Sequence, residues 1–124
     1  LALAHARQRR QFGRPIGSFQ AVQHRSASTA LAIEGARAAM WNSAWEAAYE
    51  PEQALSSLHV TMSRSVSASA FVTAAESLIQ TLGGIGFTWE HPAHLYYRRA
   101  LSARLLFLTV EQARERVAAA LVDG

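Results

Sequence analysis

Val22, Thr29, Ile33, Met40 and Ala47 recur at helical spacing along the segment that ends near Tyr49, and Ala27, Leu31, Ala38, Trp41, Trp45 and Tyr49 form a second stripe almost opposite. A surface helix of an ordinary domain carries one apolar stripe, whereas a helix with two needs cover on both sides. This segment restricts the chain to a bundle with a helix inside it, or to a helical domain that meets another subunit. The composition agrees. Half of the 124 residues are hydrophobic, Ala is abundant, and only 3 Pro and 7 Gly interrupt the chain. That favours helix and leaves enough length for a real core. Nowhere does a period-2 pattern suggest a strand, and neither a dinucleotide-binding glycine turn nor a P-loop is present.

Breakers divide the chain into helices. Leu1 to about Gln11 reads as the last turns of a helix that starts upstream, so the chain reads as a piece of a longer protein. Gly13, Pro15 and Gly17 stop it, and Ser18 can N-cap the long second helix. Pro51 suits the first position of a third helix with Glu52 in its first turn. Leu55, Leu58, Met62 and Val66 share one of its faces, and Phe71, Leu78 and Leu82 another. Its middle, Ser63 to Ala70, is rich in Ser and Ala, as close helix packing requires. Gly83 and Gly84 allow the positive φ of a helix stop. Pro92 can open a fourth helix with His94, Tyr97, Leu101, Leu105 and Leu108 as its apolar face. Thr109 and Gln112 have capping-box spacing for a fifth, buried through Val110, Ala113, Val117 and Leu121. The expected fold is an all-α antiparallel bundle of four to five helices.

The bulk numbers exclude some chemistry. With no cysteine, disulfides, cysteine metal sites and cysteine nucleophiles are ruled out. The net charge of +3 suits an anionic ligand such as a phosphate-bearing cofactor as well as nucleic acid, and most often reflects solubility alone. No apolar run approaches the roughly 20 residues that span a bilayer. The first residues mix Ala and Leu with Arg7, Arg9 and Arg10, which is not a signal peptide. His91 and His94 stand three apart but lack the i, i+4 spacing and central Glu of a zinc helix, so local hydrogen bonding or packing is the simpler reading.

Two segments stand out as ligand-binding candidates. Arg9-Arg10-Gln11-Phe12-Gly13 runs a basic pair into a glycine turn, where a guanidinium can pair with phosphate and free amides can assist. The same arginines could simply offset a helix dipole. Gln80-Thr81-Leu82-Gly83-Gly84-Ile85-Gly86-Phe87 has three Gly in four positions, which lets another molecule approach the backbone. It could also be an ordinary glycine-terminated helix.

Together these stretches resemble the acyl-CoA dehydrogenase family. Arg9 to Gln20 is similar to that family's R-x-x-F-G-x-x-[IL]-x-x-x-Q, and Gln80 to Phe87 to its Q-x-x-G-G-x-G-[FY]. Glu90-His91-Pro92 and Arg98-Arg99-Ala100 follow in the order of its E-x-P and R-D-A stations, with Arg99 replacing the Asp. The resemblance covers essentially the whole chain. It implies the C-terminal helical domain of a cytoplasmic, FAD-dependent enzyme that α,β-dehydrogenates an acyl-CoA and passes electrons to an electron-transfer flavoprotein. An N-terminal helical domain and a middle β-domain would lie upstream. It also implies FAD at a subunit interface in a homo- or hetero-oligomer. Arg9 would contact the pyrophosphate with Gln11 and Phe12 alongside, Gln20 would be a further flavin contact, and Gln80, Thr81, Leu82, Gly83 and Gly84 would receive the adenosine portion.

One station departs from the pattern. Many members place the catalytic base just after R-D-A, in a Y-E-G-T segment that here reads Leu106-Phe107-Leu108-Thr109. Phe107 stands at the base position, and phenylalanine accepts no proton, so no catalytic residue is assigned. A base upstream of Leu1, a base on a partner subunit, or Glu90 as a substitute are the three explanations. The last is the weakest, because the family's E-x-P glutamate is not its catalytic one.

Overall fold

The computed structural model describes residues 1–50, 52 and 58–123. Among them are five helices: α1 (Ala2–Gln8), α2 (Gln20–Tyr49), α3 (Leu58–Leu82), α4 (Ala93–Leu105) and α5 (Val110–Asp123). Short 3₁₀ turns occupy Ile16–Ser18 and Gly83–Phe87. The helical bundle expected from the sequence is what the chain forms. Helix α3 is its centre, packing against α1, α2, α4 and α5. The expectations for Pro51 and Leu55 lie outside the described residues.

The first segment departs from expectation. Helix α1 ends at Gln8 rather than near Gln11, because Arg9 is extended and the next residues fold into a small antiparallel ladder. In it β1 (Arg10–Gln11) pairs with β2 (Arg14–Pro15), Arg10 opposite Pro15 and Gln11 opposite Arg14. Phe12 and Gly13 sit between them with φ of 52° and 78°, the pair of positive values that defines a type I′ hairpin turn. Arg10 Nη2 donates to Gly13 O at 2.8 Å and Ile16 N–H to Arg9 O at 2.8 Å. Ser18 is not an N-cap. It lies in the 3₁₀ turn and donates its hydroxyl to Pro15 O, leaving Phe19 at the N-cap of α2.

The α2–α3 seam is built from small side chains. On α2 the half-buried positions are Val22, Ser26, Thr29, Ala32, Ala36, Ala39, Ser43 and Glu46, so Ile33, Met40 and Ala47 fall outside the packed face. On α3 the expected close packing holds: Ser65, Ala68, Ala70, Ala75 and Ser77 are buried. Ser26 and Thr29 satisfy their hydroxyls on the carbonyls of Val22 and Arg25, one turn back. Ser43 Oγ lies 2.9 Å from Ala39 O and 3.0 Å from His59 O across the seam. Each hydroxyl thus enters the interface with its hydrogen bond made.

Leu78, Ile79, Leu82 and Ala93 form the core cluster, with Ala2 and Tyr97 against it. Met62 and Val66 are exposed on α3, so the apolar face expected to carry them is not buried there. On α4 the buried positions are Ala93 and Ala100, with Leu101 and Leu105 turned outward. The fifth helix begins as expected. Thr109 N–H donates to Gln112 Oε1 at 3.1 Å and Gln112 N–H to Thr109 Oγ1 at 3.2 Å, a reciprocal capping box. Val110 and Ala113 are buried, whereas Leu121 is 70% exposed. Among the described residues no helix is long and apolar enough to cross a membrane.

Candidate functional site

The hairpin and the glycine-terminated end of α3 meet. A cleft of about 560 Å³ is lined by Arg9, Gln11 and Phe12 on one side and by Gln80, Thr81, Leu82, Gly83 and Gly84 on the other. The two segments picked out separately in the sequence are therefore one surface. Phe19, Arg25 and His5 join them.

The hairpin decides which arginine faces the cleft. Arg10 is spent on Gly13 O, and Arg14 lies over the Phe19 ring at 4.1 Å. The Arg9 side chain has no hydrogen-bond or ion-pair partner among the described residues, so its guanidinium is available to an anion. The tight turn sets Phe12 in the left-handed region, at a cost of roughly 1–2 kcal/mol for a residue with a side chain. Its ring is 90% exposed and meets the Phe19 ring edge-on at 6.1 Å.

On the other wall the three glycines differ. Gly83 has φ of 66° and ends the helix, and Gly84 faces open space with nothing within 4 Å of where a Cβ would be. Gly86 is buried, and a Cβ there would lie 2.8 Å from Ile79 O. Gly83 and Gly84 leave backbone open to a ligand, whereas Gly86 serves the packing of the turn. Gln80 is exposed on the last turn of α3. Thr81 has given its hydroxyl to Ser77 O at 2.7 Å, and Leu82 belongs to the core, so both line the cleft without offering a free polar side chain. Gln20, the first residue of α2, is exposed and does not line the cleft.

Two cleft residues escaped the sequence reading. His5 sits one turn before Arg9, and the H-x-x-x-R spacing on α1 is its only signal. Burial, the Arg9 guanidinium and His91 hold its imidazole below the usual value. Arg25 reaches the cleft from α2, near Val22, and also borders an adjoining cavity of about 540 Å³ that shares Gln80. A separate cavity of about 380 Å³, between Leu3, Ile33, Phe71 and Tyr96, has no charged lining. Its lining offers a phosphate hydroxyls but no cationic side chain.

The His91–His94 region is locally bonded. His91 Nδ1 accepts from Ala93 N–H at 3.1 Å and caps α4, His94 Nδ1 lies 3.0 Å from His91 O, and Trp89 meets the His94 ring at 4.5 Å. No group of metal-ligating side chains forms among the described residues.

Residues 1–122 match the family described as acyl-CoA dehydrogenase, C-terminal domain. The chain belongs to that family. Over 99 residues it is 46% identical to the acyl-CoA dehydrogenase FadE34 of Mycobacterium tuberculosis, a match covering 80% of this chain and 14% of the relative. The glutaryl-coenzyme A dehydrogenase glutaryl-CoA complex has the same fold, with a TM-score of 0.89 and 28% identity over 98% of this chain and 30% of that one. The ChsE4-ChsE5 complex from Mycobacterium tuberculosis is as similar, with a TM-score of 0.89 and 29% identity over 99% of this chain and 33% of that one. The chain therefore spans about a third or less of the relatives named here.

The segment after the R-D-A station is ordered on all sides. Arg64 of α3 donates from Nη2 to Ala103 O, Arg104 O and Leu106 O at 2.7, 3.0 and 2.9 Å. Arg104 pairs with Glu111 across the turn at 2.5 Å, and this holds the Glu111 carboxyl below its usual range. Between these anchors Phe107 has φ of 60° and is 98% exposed.

Proposed function

We propose that these residues form the C-terminal domain of a longer, FAD-dependent acyl-CoA dehydrogenase, with its helical and β domains upstream. The observation that carries this reading is the convergence of Arg9 with Gln80, Gly83 and Gly84 on one cleft. Those residues fit a dinucleotide. A guanidinium without a protein partner suits the pyrophosphate, an exposed amide suits a polar edge of the adenosine, and glycine backbone facing open space admits close approach. Bound FAD supplies the two-electron acceptor for the hydride that leaves the β-carbon. This chain's own part is to grip the far end of that cofactor. Reduced flavin would then be reoxidised by an electron-transfer flavoprotein.

The outer face of α2 supports an oligomer. Leu31, Trp41, Trp45 and Tyr49 are all more than half exposed on it, an apolar stripe of the kind that subunit contacts cover.

A second reading has an observation of its own. Phe107 stands where many members carry the base, and the fully exposed ring offers no proton acceptor. The chain is then the subunit of a heteromeric dehydrogenase that completes a partner's FAD site. The likeness to the ChsE4-ChsE5 complex is consistent with it. In both readings residues 106–109 border the acyl thioester.

The test is flavin content per chain in the full-length protein, purified alone and co-expressed with acyl-CoA dehydrogenase-like neighbours. Arg9→Ala should weaken FAD retention by about 1.5–3 kcal/mol, the worth of a charge-assisted hydrogen bond. Unchanged flavin occupancy in that variant would overturn the assignment. Bleaching by acyl-CoA in the lone protein means a base upstream, and bleaching only with a partner means the second reading.

A further inference from the structure

We infer that Arg64 is a positioning residue that presets Phe107 as a fixed apolar contact for the acyl thioester. The inference rests on the reading above, that residues 106–109 border that thioester. Helix α4 ends without a glycine, so the orphan carbonyls of its last turn need partners from elsewhere. Arg64 supplies them from α3, reaching 39 to 42 positions along the chain to the carbonyls of Ala103, Arg104 and Leu106. The Leu106 carbonyl belongs to the peptide that precedes Phe107. Holding it fixes the orientation of that peptide and with it the φ of 60° at Phe107.

The turn is anchored on its far side as well, by the Arg104–Glu111 pair and by the Thr109–Gln112 capping box. A left-handed phenylalanine persists only where the surroundings over-determine it. Here three separate sets of bonds do so, and what they hold out is a bare aromatic ring. A preset ring gives the thioester an apolar wall at the position where other members offer a carboxylate.

The donor pattern makes the role specific. All three contacts come from one nitrogen, whose two hydrogens are shared among the three carbonyls, and no carboxylate is involved. A lysine ammonium has three donors on one nitrogen and can reproduce the pattern, whereas methionine keeps the volume and loses every donor. A role in recognising a planar anion would instead be lost in lysine.

The test uses the full-length FAD-loaded protein, alone or with its partner, carrying 4-fluorophenylalanine at position 107. Its fluorine resonance is followed in wild type, Arg64→Lys and Arg64→Met, with butyryl-, octanoyl- and palmitoyl-CoA as probes. Wild type and Arg64→Lys should show one narrow line that moves with at least one thioester. Arg64→Met should show a broadened or divided line at unchanged flavin content, and need about tenfold more thioester for the same response. If Arg64→Met loses flavin through misfolding, Arg64→Gln, whose shorter side chain cannot reach the three carbonyls and so is donor-deficient there, takes its place. A single unshifted line in the donor-deficient variant, or failure of Arg64→Lys to restore it, would overturn the positioning role. A wild-type line that no thioester moves would instead overturn the placing of the loop at the substrate.

Discussion

Gly83, Gly84 and Gly86 lie within four positions, yet alanine should do something different at each. At Gly86 the new Cβ would lie 2.8 Å from Ile79 O, 3.2 Å from Ile79 Cα and 3.2 Å from Leu82 Cβ. Two of those atoms are helix backbone and cannot swing aside, so the overlap should cost about 1–3 kcal/mol of stability, as core overpacking does. At Gly83 the space is open but φ is 66°, and alanine should cost about 1–2 kcal/mol from backbone strain alone. At Gly84 there is neither obstruction nor left-handed backbone, so Gly84→Ala should leave the fold unharmed. Its methyl would still stand in the cleft, in the path of the cofactor proposed to bind beside Arg9. Urea midpoints and bound flavin per chain, measured together on the full-length protein, separate the three. Gly86→Ala should lower the midpoint, and Gly84→Ala should weaken flavin retention by about tenfold, or about 1.4 kcal/mol, at an unchanged midpoint. Full flavin retention in Gly84→Ala, or an unmoved midpoint in Gly86→Ala, would refute the division between ligand-facing and packing glycines.

Other outcomes follow from the same geometry. Thr109→Ala removes one half of the capping box and should cost about 1 kcal/mol, with faster amide exchange at Gln112; unchanged exchange there would count against the box. His5 has a folded pKa below its ordinary 6.5, so on acidification the unfolded chain takes up its proton first. Stability should therefore fall as pH drops through about 6.5 and level off below the folded value, and His5→Asn should flatten that slope in a pH series of urea midpoints. Trp41→Ser with Trp45→Ser alters rings that are 65% and 56% exposed. The double variant should dissociate subunits in sedimentation runs without unfolding them, and an unchanged mass would remove α2 from the interface.

The features legible in the sequence were those set by local chemistry. Gly83 at positive φ, the Thr109–Gln112 box and the Ser- and Ala-rich seam all follow from what neighbouring residues do to one another. The hairpin was not legible, because a type I′ turn is signalled by Asn-Gly or Asp-Gly and this one is Phe12-Gly13. Both halves of the cleft could be named from their motifs. Their meeting could not be derived from spacing, since it depends on how α1 and the end of α3 pack. Arg25 was missed for that reason, and Arg64 because nothing nearby in sequence marks it as the cap of another helix.

The apolar faces were misplaced for a more instructive reason. Periodicity assumes that large apolar residues point inward, but here most of the packed positions of α2 are Ala, Ser or Thr, and many large side chains point out. Small residues let packed helices approach closely and gain dispersion contacts. The large residues then become the outer surface of the bundle. Leu31, Trp41, Trp45 and Tyr49 on α2, with Leu105 at the end of α4 and Phe107 just after it, leave apolar area in water that a bundle built only for its own stability would bury. Covering each side chain is worth about 1.5–3 kcal/mol. That gain is open to whatever docks there, so a domain with this distribution suits the proposed role as one part of a larger oligomeric enzyme.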